Sequence, residues 1–143
     1  PGNGRARRRP GKGRAMSVPS SILGDWHYTG IAFQTDGTHL YTFTARATVE
    51  AEEDGSGGVR VIIQTNEKES RSVSEPAVPR TLPDGSTRIF YDYAADPGHF
   101  ATADHDFFGM VRVTFAADGQ SAAGNYMNFN GRYTCGECHW KRV

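Results

Sequence analysis

The chain has 143 residues, 37% hydrophobic and 11% aromatic, with 17 Gly, 7 Pro and a formal net charge of zero. This length fits one domain, and the zero net charge excludes a partner recruited by bulk charge alone. With few apolar residues, many of them aromatic, and frequent Gly and Pro, the composition points to strands and turns rather than to a helical bundle.

The average conceals an asymmetry. Arg5, Arg7, Arg8, Arg9, Lys12 and Arg14 fall within the first fifteen residues with no acid among them, leaving ten basic residues against sixteen acidic ones in the remainder. This arm has no apolar side chain larger than Ala before Met16. It cannot bury enough surface to offset ordering entropy, so residues 1–20 are predicted to be a disordered basic arm. It reads either as a stretch drawn to anionic lipid or nucleic acid, or as sequence upstream of a start at Met16. Residues 21–143 are predicted to form the domain.

Strand patterns follow in order. Asp25 to Phe33 alternates and ends at the Asp36–Gly37 turn. Residues 39–51 carry the clearest period of two, with Tyr41, Phe43, Ala45, Ala47 and Val49 on one face and Leu40, Thr42, Thr44, Arg46 and Thr48 on the other. An acidic glycine-rich turn precedes a strand from Val59 to Asn66. Residues 67–74 suggest a short polar strand, whereas Pro76, Pro79 and Pro83 exclude a central strand through residues 75–86. Asp84–Gly85 turns the chain into a strand at Thr87–Tyr93, and residues 94–106 read as a long loop. Three further strands run from Phe107 to Phe115, Gly124 to Phe129 and Tyr133 to Val143, joined by turns at residues 117–120 and at Asn130–Gly131. Gly109, Gly124 and Gly136 within these strands predict sharp bends in a sheet that closes on itself. The fold class is therefore all-β: a small antiparallel barrel of about eight strands.

Cys135 and Cys138, followed by His139, have half-site spacing for zinc. On a strand, however, residues three apart point to opposite faces, and the chain has no other cysteine. Two ordinary reduced cysteines and no metal are expected. His99, Asp104, His105 and Asp106 could supply acid–base groups, but no nucleophile motif accompanies them, and G-x-S-x-G, H-E-x-x-H and P-loop spacings are absent. No catalytic residue and no cofactor are expected, and the loop is read as a polar rim.

The mixture of aromatic and small polar strand residues is more informative. Bases stack on aromatic rings, while amides and hydroxyls bond base edges and riboses. Arginine presents a planar fork to phosphate, and Arg46, Arg88, Arg112 and Arg132 are candidates. The candidate ligand-binding set is Tyr28, Thr42, Thr44, Arg46, Tyr91, Tyr93, Tyr126, Asn128, Arg132 and Thr134, on a barrel lumen expected to be hydrophilic.

The segment Gly24–Asp25–Trp26–His27–Tyr28–Thr29–Gly30, the Phe108–Gly109 strand start, Gly124-x-Tyr126 and Arg132-x-Thr134-x-Gly136 ending in Trp140 to Val143 together resemble one family. It is the β-barrel domain of the SMODS-associating, two-transmembrane effectors of bacterial CBASS anti-phage defence. The resemblance covers residues 22–143. It implies a compact eight-stranded, non-enzymatic barrel that senses a cyclic dinucleotide, oligomerises on binding it, and acts through membrane segments that precede the barrel. This chain shows no run near the ~18 apolar residues a spanning helix needs and no signal peptide. It is therefore expected to be soluble and cytoplasmic, or at the inner-membrane face if such segments are attached. Gly-x-Trp also opens the first strand of lipocalins, fatty-acid-binding proteins and avidin-like barrels. Three alternatives stand beside the sensor: a carrier of a small hydrophobic ligand, an isomerase or cyclase using the 99–106 loop, and a filled barrel acting through its outer surface.

Overall fold

A computed structural model describes residues 18–66, 70–95, 108–129 and 133–143. A 3-10 turn, η1 (Ser20–Ile22), leads into nine strands: β1 (Gly24–Gln34), β2 (His39–Ala51), β3 (Val59–Thr65), β4 (Arg71–Ser74), β5 (Arg80–Thr81), β6 (Thr87–Ala95), β7 (Phe108–Phe115), β8 (Ser121–Phe129) and β9 (Thr134–Arg142). All pairings are antiparallel, in the order β4-β3-β2-β1-β9-β8-β7-β6-β5, and β4 also pairs with β6. That last pairing closes eight strands into an up-and-down barrel, leaving β5 as an extra strand on β6. Closure removes the exposed edges an open sheet would present. The expected fold class holds.

Four connections obey one rule. Asp36, Asp54, Asp84 and Asp118 each accept, at Oδ1, a backbone N–H from two residues on. Each is followed by a glycine with positive φ: Gly37, Gly55, Gly85 and Gly119. The carboxylate closes an Asx turn, and glycine alone enters the left-handed region at no steric cost. The bonds from Thr38, Ser56 and Ser86 hold the Asp36, Asp54 and Asp84 carboxyls below their usual range.

The short polar strand expected over 67–74 is present over Arg71–Ser74, and the proline-rich stretch holds a two-residue strand at Arg80–Thr81 and a single bridge from Ala77 to Val59. The prolines do keep this segment out of the barrel wall. Residues 67–69, 96–107 and 130–132 lie outside the described residues, and with them His99, Asp104, His105, Asp106 and Arg132.

Inside the barrel, large side chains sit opposite small ones. Trp26 pairs with Ala47, Tyr28 with Ala45, Trp140 with Ala122, Phe43 with Gly30, Tyr93 with Gly109 and Tyr126 with Gly136. Such alternation of size lets large side chains share the interior of a narrow barrel. Gly109, Gly124 and Gly136 were expected as bends. The register shows a different role for Gly109 and Gly136, shared by Gly30: each is the seat on which an aromatic ring lies, so that a Cβ there would run into the ring. A Cβ on Gly124 would instead meet the backbone of Arg112 and Val113 on β7.

The two ends differ. Gly24, Phe115, Ser121 and Arg142 lie at one end, which η1 covers. There the rings of Trp26, Phe115 and Trp140 meet edge to face at 5.2, 5.4 and 6.3 Å, above a buried Ile22. Trp26 Nε1 donates to Ile22 O at 3.1 Å. Arg142 stacks on the Trp26 ring at 3.8 Å and donates to the carbonyls of Ser21, Leu23 and Gly119. One guanidinium thus ties the end of β9 to η1 and to the β7–β8 turn. The Trp of the Gly-x-Trp opening thus forms part of a plug at one barrel end. No helix among the described residues is long and apolar enough to cross a membrane.

Candidate ligand site at the distal end of the barrel

Interior chemistry changes along the barrel axis. Val49, Val61, Ile89, Val113 and the Trp–Phe cluster fill the capped half. Beyond them comes a layer of tyrosines, in which Tyr28, Tyr91 and Tyr126 are buried at 6%, 3% and 7% exposure. Tyr28 packs against Trp140 at 5.6 Å and Phe43 at 5.8 Å, and Tyr91 lies 6.5 Å from Tyr93. Burial, with Cys138 and the neighbouring tyrosines secondary, drives the Tyr28 phenol well above its ordinary pKa, and burial likewise raises Tyr91. Burial also pushes the Cys138 thiol up. These groups are all neutral near pH 7.

A hydrogen-bonded chain lies at the far end of this layer. Tyr93 on β6 donates its hydroxyl to Asn128 Oδ1 on β8. Asn128 Nδ2 then donates to Thr134 Oγ1 on β9 at 3.0 Å. Tyr93 reaches Asn128 because its ring crosses Gly109, the residue opposite it on the intervening β7. Asn128 is 8% exposed, and its amide retains one donor and one acceptor site beyond this pair of bonds. On β3, Thr65 Oγ1 bonds Ser70 Oγ at 2.6 Å at the same end. The distal interior therefore offers rings and neutral hydrogen-bonding groups.

Six of the ten candidate residues, Tyr28, Tyr91, Tyr93, Tyr126, Asn128 and Thr134, project into this one region. Three do not: Thr42, Thr44 and Arg46 occupy the outward positions of β2, alternate to the inward Phe43 and Ala45. They have partners there. Thr42 bonds His39 Nε2 at 3.3 Å, Thr44 accepts from Asn66 Nδ2 at 3.1 Å, and Arg46 pairs with Asp25 at 2.8 Å. Thr48 and then Arg46 hold the Asp25 carboxyl below its usual range. The tenth, Arg132, lies outside the described residues.

Cys135 and Cys138 are both free, and they point to opposite faces, Cys138 buried inside and Cys135 half-buried outside. Among the described residues no group of three or more His, Cys, Asp or Glu is placed to hold a metal ion.

The outer wall carries what the candidate set did not include. A groove of about 460 Å³ crosses the outside of β6–β9, lined by Phe33, Phe90, Met110, Met127 and Phe129 among others. It adjoins a second depression of about 260 Å³ around Thr114, Ala123 and His139, sharing Arg112, Asn125 and Glu137 with it. The signal was present in β7, whose alternation sets Val111, Val113 and Phe115 inward and leaves Met110 and Arg112 exposed.

Fold and interior together define an up-and-down barrel with a Trp–Arg plug at one end and a Tyr–Asn–Thr hydrogen-bonded chain towards the other. The family model described as Cap15, cyclic dinucleotide receptor domain, matches residues 16–142, and the chain belongs to that family. The resemblance to the CBASS sensor barrel thus holds. No curated protein matches the chain.

Proposed function

We propose that this chain is a non-enzymatic sensor that binds a cyclic dinucleotide at the distal end of its barrel and serves a CBASS-type anti-phage effector. The observation that carries the reading is the Tyr93–Asn128–Thr134 chain, set over a tyrosine layer, in a chain of the cyclic dinucleotide receptor family. A purine is planar, rimmed by donors and acceptors, and stacks on aromatic faces. The spare donor and acceptor of Asn128 suit a base edge, Thr134 suits a ribose hydroxyl, and Tyr93 adds a ring. The rings of Tyr28, Tyr91 and Tyr126 form the floor below.

Non-enzymatic action is supported by the neutral character of the inward groups: raised tyrosines and a raised thiol are poor bases and poor nucleophiles at neutral pH. Self-association on ligand binding, and attachment to the inner face of the bacterial membrane through segments outside this chain, complete the reading.

A ligand that binds only the native state raises the melting temperature, by the equivalent of about 2.7 kcal/mol at a hundredfold excess over Kd. A panel of cyclic dinucleotides is therefore expected to raise it, with linear dinucleotides weaker and fatty acids without effect. A rise with fatty acid alone would establish the hydrophobic carrier instead.

A further inference from the structure

β2 outruns its neighbour. β3 joins its ladder only from Ala45 onward, so among the described residues the stretch from His39 to Phe43 has β1 as its sole ladder partner. This ribbon stands at the distal mouth. The inward face of β2, marked by Val49, Ala47 and Ala45, continues along it through Phe43 to Tyr41. Phe43 lies over Gly30, and Tyr41 stands opposite the buried Ala32, so the large-over-small rule of the interior runs on into the mouth. The rings follow one another: Tyr41 lies 6.0 Å from Phe43, and Phe43 lies 5.8 Å from Tyr28.

Tyr41 is nevertheless 44% exposed. The other large apolar residues exposed within strands are Leu40, Phe90, Phe108, Met110 and Met127, and all of them hold outward positions. Among the described residues, Tyr41 is thus the one exposed aromatic ring on the inward face. Round the wall, Ala32 pairs with Gly136 on β9. The next inward position towards the mouth is Thr134, which ends the Tyr93–Asn128 chain. Tyr41 and this chain therefore open on the same mouth. A half-packed ring gains from covering its open side with a planar group, and every base has a π-face to offer. Asn128 and Thr134 supply polar atoms but no ring. An eight-stranded barrel is wide enough inside for one small group. A cyclic dinucleotide carries two bases, so the second needs a face at the mouth.

We propose that Tyr41 is the outer stacking platform of the distal site: its exposed ring takes the second base of the ligand while Asn128 meets the first. This inference rests on the cyclic dinucleotide reading above and adds a residue that the candidate set did not contain. The ring carries the role, not the hydroxyl. Because stacking grows with the area of the base, Tyr41 favours purine over pyrimidine ligands.

The test is calorimetric titration of the full chain with cyclic di-AMP, cyclic di-GMP and cyclic di-UMP, on wild type, Tyr41→Phe, Tyr41→Leu and Asn128→Asp. Tyr41→Phe keeps the ring and is expected to bind as wild type does. Tyr41→Leu keeps an apolar side chain without the ring. It is expected to weaken the purine ligands about tenfold and the pyrimidine ligand less, so that the preference between them shrinks. Melting temperatures of the ligand-free variants check folding. Weakening by Asn128→Asp with no change in Tyr41→Leu overturns the role of Tyr41 and leaves the ligand reading in place. An equal loss for all three ligands in Tyr41→Leu, with a lowered melting temperature, makes Tyr41 a packing residue only and also overturns it. A wild type that binds none of the three overturns the ligand reading and this inference with it.

Discussion

Asn128 shows what one side chain contributes. It bonds both Tyr93 and Thr134, and so links β6 to β9 across β8. The tyrosines beneath it carry a consequence for pH. A free phenol ionises near pH ~10, whereas burial raises Tyr28 and Tyr91 well above that value. The folded state then keeps protons that the unfolded chain releases. The stabilisation is complete below the unfolded pKa and is lost as pH climbs beyond it. The buried Cys138 thiol acts in the same direction. The urea midpoint is expected to fall steadily above pH ~10, and tyrosinate absorbance from the buried rings is expected to appear only with unfolding. Titration of all six tyrosines in a still-folded protein would contradict the buried layer. At this scale the sequence was partly legible. Tyr28, Tyr91, Tyr93, Tyr126, Asn128 and Thr134 were identifiable as aromatic and amide groups on strands. Thr42, Thr44 and Arg46 belong to the same residue classes, and only register separates inside from outside. A single-residue shift inverts a strand's faces. The alternation in β2 gave the two faces correctly without saying which was inward.

Among strands, the glycines distinguish bending from seating. At Gly30 the atoms nearest an added Cβ all belong to the Phe43 ring, a side chain that can move. At Gly124 it would meet β7 backbone at Arg112 and Val113, which cannot move without breaking the ladder. Gly124→Ala is therefore expected to cost about 3 kcal/mol, the upper end for overpacking, and Gly30→Ala about 1 kcal/mol or less. Chemical denaturation of both variants checks the order; equal losses would mean that both glycines serve only backbone conformation. The Asp–Gly turns at Asp36 and Asp84 were legible because they depend on local chemistry that two residues complete. The ring seats at Gly109 and Gly136 were not, because each depends on a residue ten or more positions away on another strand. Proline likewise excluded residues 75–86 from the barrel wall but could not show that Arg80–Thr81 would lie on the edge of β6.

For the whole molecule, closure and polarity set the function. Eight strands return to their start through the three-residue β4–β6 seam. The Arg142–Trp26 plug closes one end, and the Tyr93–Asn128–Thr134 chain lies at the other. The barrel was readable from its strand spacing and strand glycines, and the family from segments that include Gly24–Asp25–Trp26 and Gly124-x-Tyr126. The outer groove was not, because it forms only when exposed residues of several strands align. The central claim is that a cyclic dinucleotide binds at the distal interior through Asn128. Calorimetric titration of wild type and Asn128→Asp tests it most directly. The substitution preserves size and the acceptor for Tyr93, removes the donor to Thr134, and places negative charge where an anionic ligand would sit. Saturable binding by wild type, weakened tenfold or more in a variant of unchanged fold, is the expected result; the added desolvated charge costs roughly 1.4 kcal/mol per tenfold. Equal affinity in the two proteins, or no heat from either at millimolar ligand, would contradict it.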